Sequence, residues 1–346
     1  MTAAATDFAA TLLERSASAY AAEAAVTLAG HAGEDFHAWQ QQLTQRIFEL
    51  AAAVAHGEPE LFVARARWSR KAFEARGRDV SRLLASFAAL REVLDRQLPP
   101  AAGPLPREII DAAMAALRAP ARQPEAAGLD PARPEDRLAL NFLNLVLEGN
   151  VTDALAQIAG AAETWPVEKV YLDVLMPAQR EIGTLWQLGD LSIPEEHLVT
   201  TTTERAMAIL AHRAGRAPAN GRTVLIAGVA GNVHELGLRV AADLFELAGW
   251  RALLLGADVP AEDLPVAIGY FGADLLILSA VLATQLRPVG DSIAAVRREC
   301  GENIRILVGG GAFDEGPGVW RRLGADGYAP TLGDATRLGA ELVGLD

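Results

Sequence analysis

Cysteine and histidine are scarce in this chain, and its charge is mostly negative. Its 346 residues include one cysteine and six histidines. The lone thiol, Cys300, excludes an internal disulfide framework and any zinc or iron-sulfur site built from several cysteines. The net charge of −13 argues against nonspecific nucleic-acid binding, because neutralising phosphates requires clustered lysine and arginine side chains. We therefore expect no nucleic acid among the partners.

Long apolar runs are missing as well. No window of about 18 uncharged apolar residues occurs, and the amino terminus lacks the basic region and apolar stretch of a secretory signal. We expect a cytoplasmic protein that does not enter a membrane. With 51% hydrophobic and 22% charged residues the chain can bury a sizeable core, and its length predicts two or three domains.

Proline and glycine divide the chain. The segment 118–136, "RAPARQPEAAGLDPARPED", is too rich in both for the interior of a helix or strand, so we interpret it as a linker. A second break, at 213–222, separates a helical block from alternating strands and helices. We predict an N-terminal helical domain over 1–125, a four-helix bundle over 133–214 and a strand-containing domain over 221–346.

Short apolar runs alternate with helical periodicity in the last domain. The predicted strands are "TVLIAGVA", "RALLLGA", "DLLILSAV", "IRILVGG" and "DGYAP". Runs that are apolar throughout are typical of parallel strands buried on both faces, so we predict an α/β doubly wound sheet of flavodoxin or Rossmann type. In such sheets, ligands bind at the carboxyl edge, near the point where the strand order reverses.

Residues suited to ligand binding lie at the carboxyl ends of four of these strands. They are Asn232, His234 and Gly237 after the first, Ser279 and Val281 after the third, Gly309 and Gly310 after the fourth, and Tyr328 in the fifth. A histidine there is either an ordinary loop residue capping the next helix or a ligand. The small hydroxyl residue and the glycine run suit a large flat ligand that presses on the backbone.

The run Asn232-x-His234-x-x-Gly237, with Ser279-x-Val281 and Gly309-Gly310, resembles the signature of cobalamin-binding domains in the base-off, His-on form. The resemblance covers 221–346. It implies that His234 is the lower axial cobalt ligand, that Ser279 lines the pocket of the nucleotide tail, and that the glycines give the tail room. The family has an acidic residue where this chain has Asn232. An amide oxygen fixes the imidazole ring but donates less charge to it than a carboxylate does.

The preceding helical block contains Trp186 and the pair Glu196-His197 in "GTLWQLGDLSIPEEH". This spacing resembles the Trp-x9-Glu-His motif of CarH-type light-sensing cobalamin proteins, in which a four-helix bundle covers the upper face of the cofactor. The resemblance implies that Trp186 packs against a 5′-deoxyadenosyl group and that Glu196 accepts hydrogen bonds from it, with His197 beside the same pocket. Those relatives have a histidine where this chain has Gln187, so water or His197 is the expected upper ligand after illumination.

The first 125 residues have helical periodicity and no winged helix-turn-helix pattern, which favours a longer bundle or a globin-like arrangement over DNA binding. A basic run there consists of Arg65, Arg67, Trp68, Arg70, Lys71, Arg76 and Arg78. It is either a solvated helix face or an anion site for the propionates of a linear tetrapyrrole such as biliverdin, because the layout also resembles photocobilins. His31, His37 and His56 could equally mark a haem pocket.

Together these features predict an adenosylcobalamin-dependent photoreceptor rather than an enzyme. In this interpretation light cleaves the cobalt–carbon bond and changes the assembly of a homo-oligomer or its interaction with a partner. The competing interpretation is a corrinoid carrier for methyl transfer, although a tryptophan that seals the upper face would hinder access to a partner enzyme. A third alternative, suggested by Asn232 and Gln187, is a scaffold that has lost its cofactor.

Overall fold

The computed structural model describes residues 3–29, 36–75, 78–119, 128–188, 190–316 and 318–345. The chain folds into two compact units. The first consists of 1–122 with two short segments, 282–287 and 311–319, and the second of 123–281, 288–310 and 320–346. The bounds of the three predicted domains stay predictions.

The described residues of the first unit are largely helical, as predicted. Its helices are α1 (Ala3–Ala29), α2 (Phe36–His56), α3 (Glu60–Ala75), α4 (Val80–Gln97) and α5 (Leu105–Arg118). Asp79 caps α4, because its carboxylate accepts a hydrogen bond from the Ser81 backbone N–H at 2.8 Å. Leu43, Ile47 and Leu50 recur at helical spacing on α2 and are buried. The predicted linker begins where α5 ends, and residues 120–127 lie outside the described ranges.

The second unit begins with a helical bundle. It contains α6 (Pro134–Leu147), α7 (Val151–Ala161), α8 (Val167–Val170), α9 (Met176–Leu188) and α10 (Ile193–Arg213), with a π-helical turn over Tyr171–Leu175 joining α8 to α9. Pro177 accounts for the turn, because a proline within a helix lacks the donor for the i−4 carbonyl and its ring clashes with that carbonyl.

The π-helical turn positions a buried tyrosine. The Tyr171 hydroxyl lies 2.8 Å from Asp243 Oδ2 and 3.0 Å from the backbone oxygen of Met207. A hydroxyl has one proton for these two oxygens, and burial raises the pKa of Asp243. The Tyr171 side chain thereby ties together two segments, at 207 and 243, that are separated in the sequence.

A parallel sheet forms the rest of the second unit. Its strands are β1 (Thr223–Val229), β2 (Arg251–Val259), β3 (Leu275–Ser279), β4 (Arg305–Gly309) and β5 (Gly327–Ala329), in the order β2-β1-β3-β4-β5. The helices are α11 (Leu236–Leu247), α12 (Leu264–Phe271), α13 (Leu286–Cys300), α14 (Val319–Leu323) and α15 (Leu332–Leu342). The predicted doubly wound, flavodoxin-like sheet is confirmed, and its order reverses beside β1.

The bundle and the sheet share hydrophobic contacts within the second unit. Val240 and Leu244 of α11 belong to the core cluster that includes Phe142, Val174 and Leu210 of the bundle. The opposite side of α11 packs on the sheet core. Because α11 follows the loop that contains His234, that loop is attached to a helix held on both sides. No helix among the described residues is both long and apolar enough to span a membrane.

One half-buried carboxyl in the first unit, that of Glu315, predicts a pH dependence. Burial raises the pKa of Glu315 to about 7, reinforced by the nearby carboxylates Glu49 and Glu60 and opposed by Arg65. The folded state therefore holds a proton that the unfolded chain releases near pH 4.5, so the free energy of unfolding falls as pH rises from about 4.5 to 7.

We expect Glu315→Gln to remove this part of the pH dependence. The measurement is denaturant unfolding at pH 5 and pH 7.5, with Glu302→Gln at a side chain that is 78% exposed as the control. An unchanged difference between the two pH values in Glu315→Gln would show that Glu315 is ionised in the fold.

Candidate functional site

His234 lies in the loop between β1 and α11, and its ring is oriented by Asn232. Asn232 Oδ1 is 3.3 Å from His234 Nδ1 and accepts a hydrogen bond from the His234 backbone N–H at 3.1 Å. An amide oxygen only accepts, so this contact requires the proton on Nδ1 and leaves the lone pair on Nε2. The His234 side chain is exposed. This is the tautomer in which an imidazole ligates a metal through Nε2.

Asn232 is fully buried and its polar groups all have partners. Its side-chain N–H donates to the backbone oxygen of Ser279 at 2.9 Å, and its backbone oxygen accepts from Asp258 N–H at 3.0 Å. A carboxylate in place of the amide would place one of its oxygens next to the Ser279 backbone oxygen, and two acceptors repel each other. The departure of Asn232 from the acidic residue of the resembled family therefore suits a loop that is bonded to the end of β3.

The ends of three strands bring other predicted site residues into one row. Gly228 of β1 is paired with Ser279 of β3, and Ser279 with Gly309 of β4. Tyr328 lies opposite Val308 on the outer strand β5. The carboxyl edge of the sheet therefore contains the loop of His234, Ser279, Gly309 at the end of β4 and Gly310 directly after it. The sequence placed them at this edge.

One position at this edge requires glycine, and a second is tightly packed. Gly310 has a φ of +99°, and a Cβ there would lie 2.3 Å from the Ala280 backbone oxygen. At Gly228 the backbone of a neighbouring strand lies close by, and a Cβ there would be 3.3 Å from Ala257 Cα. Sequence reasoning found Gly310 and missed Gly228, which stands inside an apolar strand pattern. By contrast, Gly237 has a helical φ and no heavy atom within 4 Å of the Cβ position.

Trp186 lies on α9 beside open space. Gln179, Gly183 and Trp186 are spaced so that they share one face of the helix. Trp186 is 38% exposed, and a Cβ at Gly183 would have no neighbouring heavy atom within 4 Å. An aromatic ring beside a gap of this kind offers apolar surface to a further group. The side chain of Gln187 lies outside the part of the chain that the structure describes.

Glu196 lies at the start of α10 within a chain of hydrogen bonds. Its carboxylate is 2.6 Å from His197 Nδ1 and accepts from the Thr200 hydroxyl at 2.9 Å. Thr200 also lies 3.2 Å from Gln179 Oε1, and Gln179 Nε2 donates to Thr203 at 2.7 Å. The Thr200 hydroxyl has one proton for the oxygens of Glu196 and Gln179, and it lies between them, so Glu196 is close to the face of α9 that contains Trp186. The side chain of His197 is 71% exposed.

The basic run on α3 is largely engaged inside the first unit. Arg65 stacks over Trp68 at 4.5 Å and pairs with Glu49 at 3.4 Å. Arg67 pairs with Glu60, and Arg70 donates to Leu117 O at 3.0 Å. Arg78 lies 5.8 Å from the centre of the Phe73 ring. Arg76 and His31 lie outside the described residues.

Comparison with known proteins agrees with the fold and the motif. Residues 138–211 and residues 222–335 each match a family described as a B12 binding domain. The first range covers most of the bundle and the second covers the sheet with the loop of His234. The chain is therefore a cobalamin-binding protein, and a corrinoid is its implied cofactor.

Two curated relatives differ in kind. A corrinoid protein of Desulfitobacterium hafniense is 28% identical over 169 residues, which are 47% of this chain and 77% of that protein. The HTH-type transcriptional repressor CarH of Myxococcus xanthus is 31% identical over 175 residues, which are 50% of this chain and 56% of the repressor. The match thus spans little more than half of the repressor.

Among solved structures, the monomethylamine corrinoid protein of Methanosarcina barkeri has the same fold. The superposition has a TM-score of 0.53 at 18% identity, and covers 60% of this chain and 99% of that protein. At this identity the likeness shows the fold alone. Two of these relatives are corrinoid proteins and one is a transcriptional repressor, so the comparisons do not single out one function.

Gly310 and Gly237 provide a matched pair of variants. We expect Gly310→Ala to lower the free energy of unfolding by roughly 2 to 4 kcal/mol, because the new Cβ overlaps a backbone oxygen and the φ is unfavourable. Gly237→Ala should change it by less than about 1 kcal/mol, since helical φ and open space accept a methyl group. Denaturant unfolding of both variants measures this, and equal losses would contradict the stated packing.

Proposed function

We propose that this cobalamin-binding protein is a light sensor that uses adenosylcobalamin. The observation that carries the proposal is the face of α9 with Trp186 exposed beside the gap at Gly183 and joined to Glu196 through Gln179 and Thr200. A large apolar ring and a carboxylate next to open space suit a nucleoside, which has a flat base and hydroxyl donors.

The residues at the sheet edge fit the lower side of such a cofactor. His234 would hold cobalt through Nε2, in the tautomer that Asn232 imposes. Ser279, Val281 and Tyr328 would line the space for the nucleotide tail, with Gly237, Gly309 and Gly310 allowing close approach to the backbone. When bound, adenosylcobalamin supplies a weak cobalt–carbon bond that visible light can break.

Movement of the bundle is the proposed output. Once the adenosyl group has left, the apolar surface of Trp186 that it covered would face water again, which favours repacking of that surface against protein atoms. Repacking of α9 against α10 would alter the outer surface of the bundle, and with it the association of a homo-oligomer or a partner. His197, largely exposed beside Glu196, is the imidazole available to that side of the site.

A linear tetrapyrrole such as biliverdin is proposed as a second chromophore of the first unit. Arg65, Arg67 and Arg70 of the basic run are paired, and Arg46 offers another donor. Its guanidinium lies 4.4 Å from the centre of the Phe87 ring, and its Nη1 is buried with no hydrogen-bond partner among the described residues. A propionate would satisfy this group. Of the histidines considered for a haem, His37 is exposed on α2 and His56, the last residue of the same helix, is partly buried.

A corrinoid carrier for methyl transfer is the second candidate function. It is favoured by the names of the relatives, which include three dimethylamine corrinoid proteins of Methanosarcina acetivorans at 24% to 26% identity. In that case the partner would be a methyltransferase, and Trp186 would have to leave the upper face accessible. The upper ligand that the protein prefers therefore separates the two functions.

His234 ligation is tested by electron paramagnetic resonance of the cobalt(II) form bound to protein labelled with nitrogen-15 histidine. We expect the axial splitting to change from the nitrogen-14 to the nitrogen-15 pattern in the labelled protein, and to lose this sensitivity in His234→Ala. His212→Ala, at an exposed histidine of α10, is the control. A nitrogen-14 pattern that persists in labelled wild-type protein would assign the ligand to the cofactor's own base.

Trp186 is tested by competition between upper ligands. We expect Trp186→Ala to lower the preference for adenosylcobalamin over methylcobalamin by about tenfold or more, because a large apolar contact worth a few kcal/mol is lost. Trp320→Ala, in α14, should leave the ratio unchanged. A wild-type protein that binds both forms equally, with no effect of Trp186→Ala, would favour the carrier.

A further inference from the structure

The loop of His234 is attached to both strands that flank β1. On the β3 side the attachment is the hydrogen bond from Asn232 to Ser279 described above. On the β2 side, Gly231 N–H donates to Asp258 Oδ1 at 2.7 Å and Asp258 N–H donates to Asn232 O at 3.0 Å. Ala257 N–H also donates to Glu235 Oε1 at 3.3 Å. The residues before and after His234 are therefore both fixed to one short stretch of β2.

That stretch of β2 is irregular. Its pairing with β1 shifts between Ile226 and Ala227 and again between Ala227 and Val229, so β2 contains extra residues at two points. Asp258 falls at the second shift and has a φ of +52°, the only left-handed φ among the described residues other than glycine. Bulges of this type redirect a strand and are common beside functional sites. Aspartate tolerates this backbone conformation better than most residues.

We propose that Asp258 is a positioning residue that holds the loop of His234 in its ligating conformation before the cofactor binds. The bulge turns the Asp258 carboxylate toward Gly231 N–H, and its own N–H fixes Asn232, which in turn orients the imidazole. Asp258 thus fixes Asn232, and Asn232 orients His234, so that Asp258 acts on the imidazole through Asn232. Ordering the loop in advance lowers the conformational entropy that ligation would otherwise cost.

This inference rests on the proposed ligation by His234, and its test separates the two. Three variants are informative: Asp258→Asn keeps an acceptor and tolerates the left-handed φ, Asp258→Ala loses the acceptor, and Asp258→Gly loses the acceptor while relieving the backbone. Glu262→Ala, at an exposed residue just after β2, is the control. The first readout is amide hydrogen exchange of the peptide 229–237 in cofactor-free protein. The second is the fraction of bound cobalt(II) that shows the histidine nitrogen splitting.

We expect Asp258→Ala and Asp258→Gly to exchange the peptide 229–237 about tenfold faster, as loss of a charge-assisted hydrogen bond implies. Both variants should reduce the fraction with histidine splitting, whereas Asp258→Asn and Glu262→Ala should match wild type. Unchanged exchange and splitting in Asp258→Ala would overturn the positioning role while His234 ligation stood. Wild-type protein without histidine splitting would overturn both, whatever the exchange rates.

Discussion

The buried amide of Asn232 is the interaction on which the site depends. Its side-chain N–H joins the loop after β1 to the end of β3 through Ser279 O. The backbone oxygen of the same residue accepts from Asp258 N–H at the bulged end of β2. An amide is suited to this position because it both donates and accepts, whereas a carboxylate only accepts. An amide also affects the imidazole that it orients. With a neutral hydrogen-bond partner, the imidazole is a weaker electron donor to a metal than one paired with a carboxylate.

A sheet with the order β2-β1-β3-β4-β5 explains why the site lies where it does. The chain leaves β1 at the reversal of strand order, so the following loop has a neighbouring strand on each side to which it can bond. The helix that follows, α11, packs both on the sheet and on the bundle through Val240 and Leu244. The lower side of the site is thus built on fixed elements, while the bundle side contains the exposed Trp186 and the gap at Gly183. We therefore expect the bundle side, rather than the sheet side, to rearrange when a ligand is lost.

Much of this could be predicted from the sequence, because the apolar runs and the placement of His234 after the first strand are local signals. The roles of Asp258 and Gly228 could not, since they arise from hydrogen bonds and close approaches between strands that are far apart in the chain. The π-helical turn at Tyr171–Leu175 has no signal in the periodicity, because the helical spacing of apolar residues continues through it. For the basic run the sequence left open a solvated helix face or an anion site, and it could not show that Glu49 and Glu60, outside the run itself, pair with Arg65 and Arg67.

The central claim is that the bound cofactor makes the protein's structure sensitive to light, rather than serving as a methyl group carrier. The most direct measurement is light scattering of protein reconstituted with adenosylcobalamin in the dark, before and after green light, with photolysis followed to completion by absorption. We predict that the mass of the assembly changes on illumination, and that cofactor-free protein shows no change. An unchanged mass after complete photolysis would contradict the account and leave the carrier as the better description.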